Sequence, residues 1–316
     1  MHDQRLKDIV PFVASVECGS FAAAAERLHV TGSAISKSVS RLERRLGSQL
    51  LERTTRSLAL TDAGQAYYQT CTRIMEELLE AEAVLAAQRT IPAGRLRLAA
   101  PTTYGRLGVM PVLLPFCQRH PELEISMAFS DRFVDLFEEG IDVAVRIGHA
   151  ADLPASVGSR LLGREKMVFC ASPGYLAQYG QPTNRAELLQ HKAILYERVD
   201  GSAKPWLLTT EDGHADWCEA PCRMALGDVD AQVQAVCAGL GIGQMPTWLI
   251  RQQLKSGELC VILPGIQPDG LALNLVWPRR KQLLPKVDAL LAALNNLDIG
   301  ASVLAEIAGQ RESGKE

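Results

Sequence analysis

The sequence feature that most constrains the fold is a pair of short helices predicted within residues 20–46. Ser20 can cap an alanine-rich first helix, and Val30-Thr31-Gly32 breaks the helical pattern before a second helix at about 33–46. On the second helix, one apolar stripe recurs at helical spacing and consists of Ile35, Val39, Leu42 and Leu46. Small alanines let the two helices approach closely across a short turn. The pattern predicts a helix-turn-helix, whose second helix lies in the major groove of DNA.

The opposite face of the second helix is polar and cationic. It carries Ser33, Ser36, Lys37, Ser40, Arg41, Arg44 and Arg45. A helix hairpin with merely solvated cations would show some of these features. Here, however, short hydroxyls at the start of the helix can reach base edges, and the cations can meet phosphates. We therefore predict that this face binds DNA.

Two further elements are predicted around the helix pair. The apolar spacing within residues 7–17 predicts a supporting helix, and the strand-like runs 49–51 and 58–60 predict a two-stranded wing. The tip of the wing is polar and cationic and contains Arg53, Thr54 and Arg56. Arginines on such a wing meet phosphates or enter the minor groove, where they position a protein more than they specify sequence.

A long helix is predicted at about 63–89, capped by Thr61-Asp62. Its apolar or small positions repeat about every 3.5 residues and include Ile74, Leu78, Ala81 and Leu85. A second copy of the chain would bury this stripe, so we predict a dimer. Ile91-Pro92-Ala93-Gly94 breaks the helix and predicts a hinge.

Composition and charge limit the class of protein. Residues 1–60 hold nine Lys/Arg and six Asp/Glu, a net charge of +3; the whole chain has 33 and 36, so the remainder carries −6. A basic head on an acidic body suits nucleic-acid binding at one end only. No apolar run reaches membrane-spanning length, the N-terminus lacks a signal-peptide core, and the eight cysteines are scattered, so we expect no membrane association and a reduced cytoplasmic setting.

From Arg95 onward, strands alternate with helices, which predicts a mostly parallel sheet covered by helices in two α/β lobes. The predicted strands are 96–100, 123–129, 141–147, 166–171, 193–196, 222–226, 242–244 and 271–277. The predicted helices are 103–119, 133–139, 185–190, 229–238, 248–255 and 285–297.

The ends of these strands predict a ligand site, because ligands of open α/β sheets bind beyond the carboxyl ends of strands. Thr102 and Thr103 open a helix after the first body strand, where hydroxyls and free helix N–H groups suit an anion. The other candidates at strand ends are Arg146, Gly148, Tyr196, Gln244 and Pro246. The favoured ligand is a small carboxylate. Alternatively, Thr102 and Thr103 only cap their helix and Arg146 pairs with an acid.

Read together, these residues resemble a LysR-type transcriptional regulator over nearly the whole chain. The most specific part is SFAAAAERLHVTGSAISKSVSRLERRLGSQLLERTTRSLALTDAG in the head, and body phrases such as SDRFVDLFEEGIDVAVRIG and AGLGIGQMP are similar to the effector domain of the family. The resemblance implies a winged helix-turn-helix at 1–60, a dimerisation helix at 61–90, a hinge at 91–94 and an effector domain at 95–310. That domain would be built like a periplasmic binding protein, with lobe I at about 95–165 and 266–310 and lobe II at about 166–265.

The resemblance also implies a function. A regulator of this kind binds promoter DNA as a dimer or a tetramer, changes the bend of the DNA when an effector occupies its body, and contacts RNA polymerase if it activates. By position, the groove contacts fall on Thr31, Ser33, Ser36 and Lys37, and backbone contacts fall on Arg53 and Arg56. One departure is Gly32, where many members carry Gln or Pro.

Other signals are weaker. Gly239, Gly241 and Gly243 precede a strand, so they read as turn glycines rather than a phosphate loop. Cys218 and Cys222 lack a second pair at metal-ligand spacing, and a redox switch is their less favoured interpretation. No nucleophile elbow or paired carboxylates stand out, so we expect neither an enzyme nor a cofactor. The alternative is a small-molecule binding or enzymatic body whose head only dimerises.

Overall fold

A computed structural model describes residues 3–53, 58–85, 91–148, 153–198, 200–209, 214–266, 269–300 and 303. The chain separates into two compact units, Met1–Arg89 and Thr90–Glu316. Below, the first is called the head and the second the body. The finer boundaries predicted for the linker, hinge and lobes stay predictions.

The head consists of helices and one small hairpin. In order, its elements are α1 (Asp3–Glu17), α2 (Phe21–Arg27), α3 (Gly32–Leu46), β1 (Leu51–Arg53), β2 (Leu58–Leu60) and α4 (Asp62–Leu85). Ser20 Oγ accepts a hydrogen bond from the N–H of Ala23, and Thr31 Oγ1 accepts one from Ala34, so each helix of the pair begins at a hydroxyl cap. Strands β1 and β2 pair antiparallel. The predicted helix-turn-helix and hairpin are therefore present.

One core holds the head together. The predicted stripe of α3 is buried at Ile35, Val39 and Leu42, together with Phe12 of α1. Leu46 is the exception, being 40% exposed, because α3 ends there at Gly47, whose φ of 64° turns the chain away. The start of α4 also packs closely on the hairpin: a Cβ on Gly64 would lie 1.9 Å from the carbonyl oxygen of Leu50.

Within the described residues, the body has nine strands in one mixed sheet and a separate two-stranded hairpin. The strands are β3 (Gly94–Ala100), β4 (Leu123–Phe129), β5 (Val143–Ile147), β6 (Val157–Ala171), β7 (Ala193–Tyr196), β8 (Trp206–Thr209), β9 (Ala215–Cys218), β10 (Cys222–Leu226), β11 (Ile242–Pro246), β12 (Cys260–Ile262) and β13 (Asp269–Pro278). The helices are α5 (Thr102–Tyr104), α6 (Met110–Arg119), α7 (Pro173–Tyr179), α8 (Arg185–Leu188), α9 (Val229–Cys237), α10 (Arg251–Ser256) and α11 (Pro285–Ala293).

The order of strands in the sheet explains the two lobes. It runs β10-β7-β11-β6-β13-β5-β3-β4, with β12 also on β6. The β3 pairings with β4 and β5 are parallel, as are the β7 pairings with β10 and β11. Between these two parallel groups lie β6 and β13, which pair antiparallel with each other and with their neighbours. The long strand β6 thus serves both lobes.

Several predicted elements of the body were wrong in detail. No helix forms at 133–139, because the carboxylate of Asp135 accepts hydrogen bonds from the N–H groups of Phe137 and Glu138 and makes a turn instead. The helix predicted at 103–119 is interrupted by a π-turn at Gly105–Val109. Strand β6 starts nine residues earlier than predicted, at Val157 rather than at residue 166. The β8–β9 hairpin, α7 and β12 were not predicted.

Length and composition decide whether a helix can cross a bilayer. No single one of the described helices is both long and apolar enough to cross a membrane. The bent pair Lys7–Glu17 and Phe21–Arg27 is long and apolar enough only when the two helices are taken together.

Candidate DNA-binding and ligand-binding sites

The first turns of α3 present short polar side chains and one cation to solvent. Thr31, Ser33 and Lys37 are exposed, and Ser36 is half-buried. The hydroxyls of Thr31 and Ser33 lie 3.1 Å apart, so the cap of the helix and its first exposed serine form one polar tip. Arg53 is the last residue of β1, and its side chain, Thr54 and Arg56 lie outside the described residues.

Arg41 has a partner that the sequence reading did not foresee. Its guanidinium donates to both carboxylate oxygens of Asp8 on α1, with Nη2 2.7 Å from Oδ1, and to Ser38. The side chain of Asp8 is 4% exposed, and the hydrogen bond from Arg41 holds the pKa of Asp8 below its ordinary value. The first role of Arg41 is therefore to fasten α3 to α1.

The predicted dimerisation stripe lies on α4. Ile74 and Leu78 are 44% and 49% exposed, whereas Cys71, on the inward side, is buried in the core of the head. The side chains of Ala81 and Leu85 lie outside the described part of the helix. Two large aliphatic side chains one turn apart thus have no cover within the described head.

The body contains a cavity of about 480 Å³, which is large enough for a ligand of metabolite size. Five of the seven predicted ligand-site residues line it: Thr102, Thr103, Tyr196, Gln244 and Pro246. These residues come together because they lie at the carboxyl ends of β3, β7 and β11. The walls also include residues that were not predicted: Glu165, Lys204, Trp206, Trp217, Gln232 and Trp248.

Arg146 and Gly148 do not line the cavity. Their neighbour Ile147 does, and successive residues of a strand point to opposite faces, so Arg146 points away. Its guanidinium donates to the backbone oxygens of Arg132 and Val134 and lies 4.1 Å from the ring centroid of Phe133. Burial lowers the pKa of Arg146. The carbonyl of Gly148 accepts a hydrogen bond from the amide of Asn274.

Two of the groups expected to hold an anion, the N–H of Thr102 and the hydroxyl of Thr103, already have partners within the chain. The N–H of Thr102 donates to Asp131, 3.0 Å away. The hydroxyl of Thr103 donates to Asp230, which also pairs with Arg106. At these two groups a carboxylate of the chain itself stands where an anion was expected, and the anion site at this helix start stays a prediction.

The side-chain amide of Gln244 also has hydrogen-bond partners within the chain. Its amide oxygen accepts from the N–H of Leu207 at 2.9 Å, and its amide nitrogen donates to the carbonyl of Leu207. Both ends of this side chain therefore fix the β8–β9 hairpin against the end of β11. Gln232, the other amide in the wall, donates to the carbonyl of Ile194.

Two ionisable groups in the cavity wall are perturbed by burial. Glu165 accepts hydrogen bonds from the indole of Trp248 at 2.8 Å and the N–H of Leu271, but burial still raises its pKa. Burial also lowers the pKa of Lys204, whose ammonium lies 5.7 Å from the ring centroid of Trp217. Within the described residues, no group of three or more His, Cys, Asp or Glu could hold a metal ion.

Comparisons with known families and proteins identify both the head and the body. Residues 6–65 match the model of the bacterial regulatory helix-turn-helix protein, lysR family, and residues 89–298 match the LysR substrate binding domain. The chain is 32% identical over 314 residues to the probable HTH-type transcriptional regulator LtrA of Klebsiella pneumoniae, covering 98% of each chain. It is 33% identical over 294 residues to the HTH-type transcriptional activator AaeR of Escherichia coli, covering 93% and 94%.

Solved structures of full-length relatives match over 92% of this chain. The full-length virulence activator AphB of Vibrio cholerae is 27% identical with a TM-score of 0.58, covering 92% of this chain and 98% of AphB. CrgA of Neisseria meningitidis, a LysR-type transcriptional regulator, is 29% identical with a TM-score of 0.57, covering 92% and 97%. The relatives are named as regulators rather than enzymes.

Proposed function

Since the chain belongs to the LysR family of transcriptional regulators, with a DNA-binding head and an effector-binding body, we propose which of its residues read a promoter and how a ligand controls them. The N-terminal turns of α3 enter the major groove, and Thr31, Ser33 and Ser36 face base edges. Lys37 contacts a phosphate. The observation that carries this proposal is the exposed hydroxyl and cation face of α3, opposite its buried stripe.

The remaining contacts of the head follow from the same placement. Arg53, Thr54 and Arg56 of the wing contact the DNA backbone beside the groove, and these contacts position the protein without selecting sequence. Arg41 supports α3 through Asp8 and offers the exposed part of its guanidinium to a phosphate.

We propose further that copies of the chain associate through α4. Ile74 and Leu78 are supporting observations, because a second helix packed on them would bury apolar surface that the described head leaves exposed. The dimer, or a tetramer of two dimers, would then place two recognition helices on one operator in the cytoplasm. A small carboxylate in the cavity of the body would change the bend of the promoter, and an activator form would contact RNA polymerase.

The experiment that tests DNA binding is a gel-shift titration of the full chain on the DNA upstream of its own gene, at several salt concentrations. Binding that neutralises several phosphates should weaken steeply with salt. Lys37→Ala should reduce the slope of log K against log salt by about 0.9, the value for one phosphate contact.

Lys192→Ala is the matched control, because Lys192 is exposed on the body and lies outside the α3 surface. Its slope should equal that of the unmodified protein. A Lys37→Ala slope that is also unchanged would remove Lys37 from the interface. Absence of any salt-dependent binding would refute the placement of α3 in DNA.

A further inference from the structure

The charges in the cavity wall are unevenly satisfied. Each acidic side chain has a partner: Asp131 accepts from Thr102, Glu165 from Trp248 and Leu271, and Asp228 from the N–H of Ala231. Asp269 pairs with Lys166. Lys204 is the cation in this wall, and no described residue accepts a hydrogen bond from its ammonium group. Glu165 attracts the ammonium of Lys204 electrostatically but does not accept a hydrogen bond from it, so the hydrogen-bonding capacity left for a ligand in this wall belongs to a cation.

The same wall is unusually aromatic. Three of the four tryptophans of the chain line the cavity, although only 5% of its residues are aromatic. They are Trp206, Trp217 and Trp248. Trp217 is 50% exposed, a large apolar surface without full cover, and its ring lies beside Lys204. The indole N–H of Trp206 is buried and has no hydrogen-bond partner among the described residues.

The β8–β9 hairpin holds these groups in place. Lys204 is tied to β7 by its own N–H, which donates to the carbonyl of Tyr196 at 2.7 Å. Gln244 fixes Leu207 of β8 through both ends of its amide, and β9 carries Trp217 opposite Leu207. The main chain that carries Lys204 and Trp217 is therefore fixed before any ligand arrives, which lowers the entropy lost on binding.

We infer that the effector is an aromatic carboxylate, with its carboxylate on the ammonium group of Lys204 and its ring against the indoles of Trp217 and Trp248. This inference rests on the proposed function and names the ligand class of the same cavity. A carboxylate supplies the hydrogen-bond acceptor that the described chain does not give to the ammonium of Lys204, and a charge-assisted hydrogen bond in a partly dry site is strong. A flat ring matches the aromatic walls in size and packs on them by offset stacking or edge contact.

The test is a titration of the full chain followed by intrinsic tryptophan fluorescence, which reports on the cavity because three of four tryptophans line it. The probes are benzoate, benzamide and cyclohexanecarboxylate. Benzamide keeps the ring and loses the charge, whereas cyclohexanecarboxylate keeps the charge and loses the aromatic ring. Each is titrated to about 10 mM, well into the range of weak binding.

The expected result is saturable binding of benzoate that is roughly 10- to 100-fold tighter than that of benzamide, the range of a hydrogen bond to a charged group. Benzoate should also bind more tightly than cyclohexanecarboxylate. Lys204→Met should abolish the preference for benzoate over benzamide, and Lys204→Arg should keep it. Lys192→Met, at an exposed lysine outside the cavity wall, should bind like the unmodified protein.

Three results would overturn the inference: no saturable benzoate binding, equal affinity for benzoate and benzamide, or a Lys204→Met variant that keeps the preference. Equal affinity for benzoate and cyclohexanecarboxylate would overturn the aromatic part. Cooperative urea unfolding of Lys204→Met, followed by the fluorescence of the four tryptophans of the body, shows that the body of the variant is folded. If the salt slopes of the gel-shift titration hold while the benzoate test fails, DNA binding by α3 stands and only the inferred ligand class falls.

Discussion

Lys281→Met should strongly destabilise the body, because Lys281 neutralises a buried carboxylate. The ammonium of Lys281 lies 2.5 Å from Oδ1 of Asp142, and the two side chains are 11% and 3% exposed. The other oxygen of Asp142 accepts a hydrogen bond from the N–H of Arg97 at 2.7 Å. Asp142 immediately precedes β5, so this ion pair fixes the start of the strand whose end lines the cavity.

The expected magnitude follows from burial. Methionine fills much of the volume of the lysine side chain but leaves the carboxylate of Asp142 without its cation. Removing one partner of a buried pair costs about 3–5 kcal/mol, because the remaining charge is held away from water without compensation. For a unit of this size each kcal/mol lowers the midpoint of thermal unfolding by about 2–4 °C, so the shift should be on the order of 10 °C.

Urea unfolding followed by tryptophan fluorescence measures this loss directly, because all four tryptophans lie in the body and the head is silent. The double variant Asp142→Asn/Lys281→Met removes both charges, and its asparagine oxygen can still accept from Arg97. It should recover most of the lost stability. Lys192→Met, at an exposed lysine, should unfold like the unmodified protein. A single variant within about 1 kcal/mol of the unmodified protein, or a double variant no more stable than the single, would refute the reasoning.

Substitutions at Gly64 and Asp8, and a change of pH at Lys204, have further expected outcomes. Gly64→Ala should loosen the hairpin of the head and abolish operator binding, because its Cβ would lie 1.9 Å from the carbonyl oxygen of Leu50. Hydrogen exchange of residues 3–53 should rise. The control Ala66→Ser, at an exposed position, should change neither operator binding nor hydrogen exchange. Asp8→Asn should destabilise the head near neutral pH. Arg41 lowers the pKa of Asp8 in the folded head, so the ionised carboxylate stabilises the head fully above pH 3.8 and loses this effect as the pH falls through the lower folded-state pKa. The difference in stability between the unmodified protein and Asp8→Asn should therefore close below pH 3.8. The affinity for benzoate should decline with rising pH before the ordinary lysine pKa of 10.5 is reached, because burial lowers the pKa of Lys204. The carboxylate of Glu165 opposes this lowering of the pKa, and the guanidinium of Arg198 adds to it. In fluorescence titrations, Lys204→Arg should show no such decline.

The parts of the fold that the sequence predicted are those governed by local patterns. Ser20 and Thr31 cap their helices because a hydroxyl needs only the N–H three residues on. The stripe Ile35, Val39 and Leu42 is buried because helical spacing places these residues on one face. Leu46 has the same spacing but is exposed, since the helix ends at the next residue and no partner remains to cover it.

The parts that it missed depend on a competing local bond or on distant residues. Residues 133–139 have apolar spacing suited to a helix, yet the Asp135 carboxylate captures the N–H groups that a helix would need. The first half of β6 pairs with β13, more than a hundred residues later in the chain, and nothing near Val157 indicates that partner. The β8–β9 hairpin was missed because it pairs only with itself and depends on the Gln244 side chain for its position.

The candidate ligand site was likewise predicted only in part: the sequence indicates its position but not the hydrogen-bond partners of its residues. Strand ends correctly predicted that Thr102, Tyr196, Gln244 and Pro246 meet at one cavity, because topology fixes where strands end. Sequence could not tell which of their polar groups are free. The partners of Thr102, Thr103 and Gln244 lie 29, 127 and 37 residues away, and only the folded chain shows that these groups are already satisfied.

Whether a polar group is already bonded within the chain decides how much it can contribute to the choice of a ligand. Groups at strand ends that are bonded to the chain itself shape the cavity but contribute little to choosing a ligand, since a ligand would have to replace bonds already made. By the inference above, the choice falls to groups that the described chain leaves available, which include the Lys204 ammonium, the buried indole N–H of Trp206 and the half-exposed ring of Trp217. All three belong to the segment around the β8–β9 hairpin rather than to the ends of the parallel strands. Substitutions at Lys204 or Trp217 should therefore change the choice of ligand while Thr102 and Gln244 keep their hydrogen-bond partners.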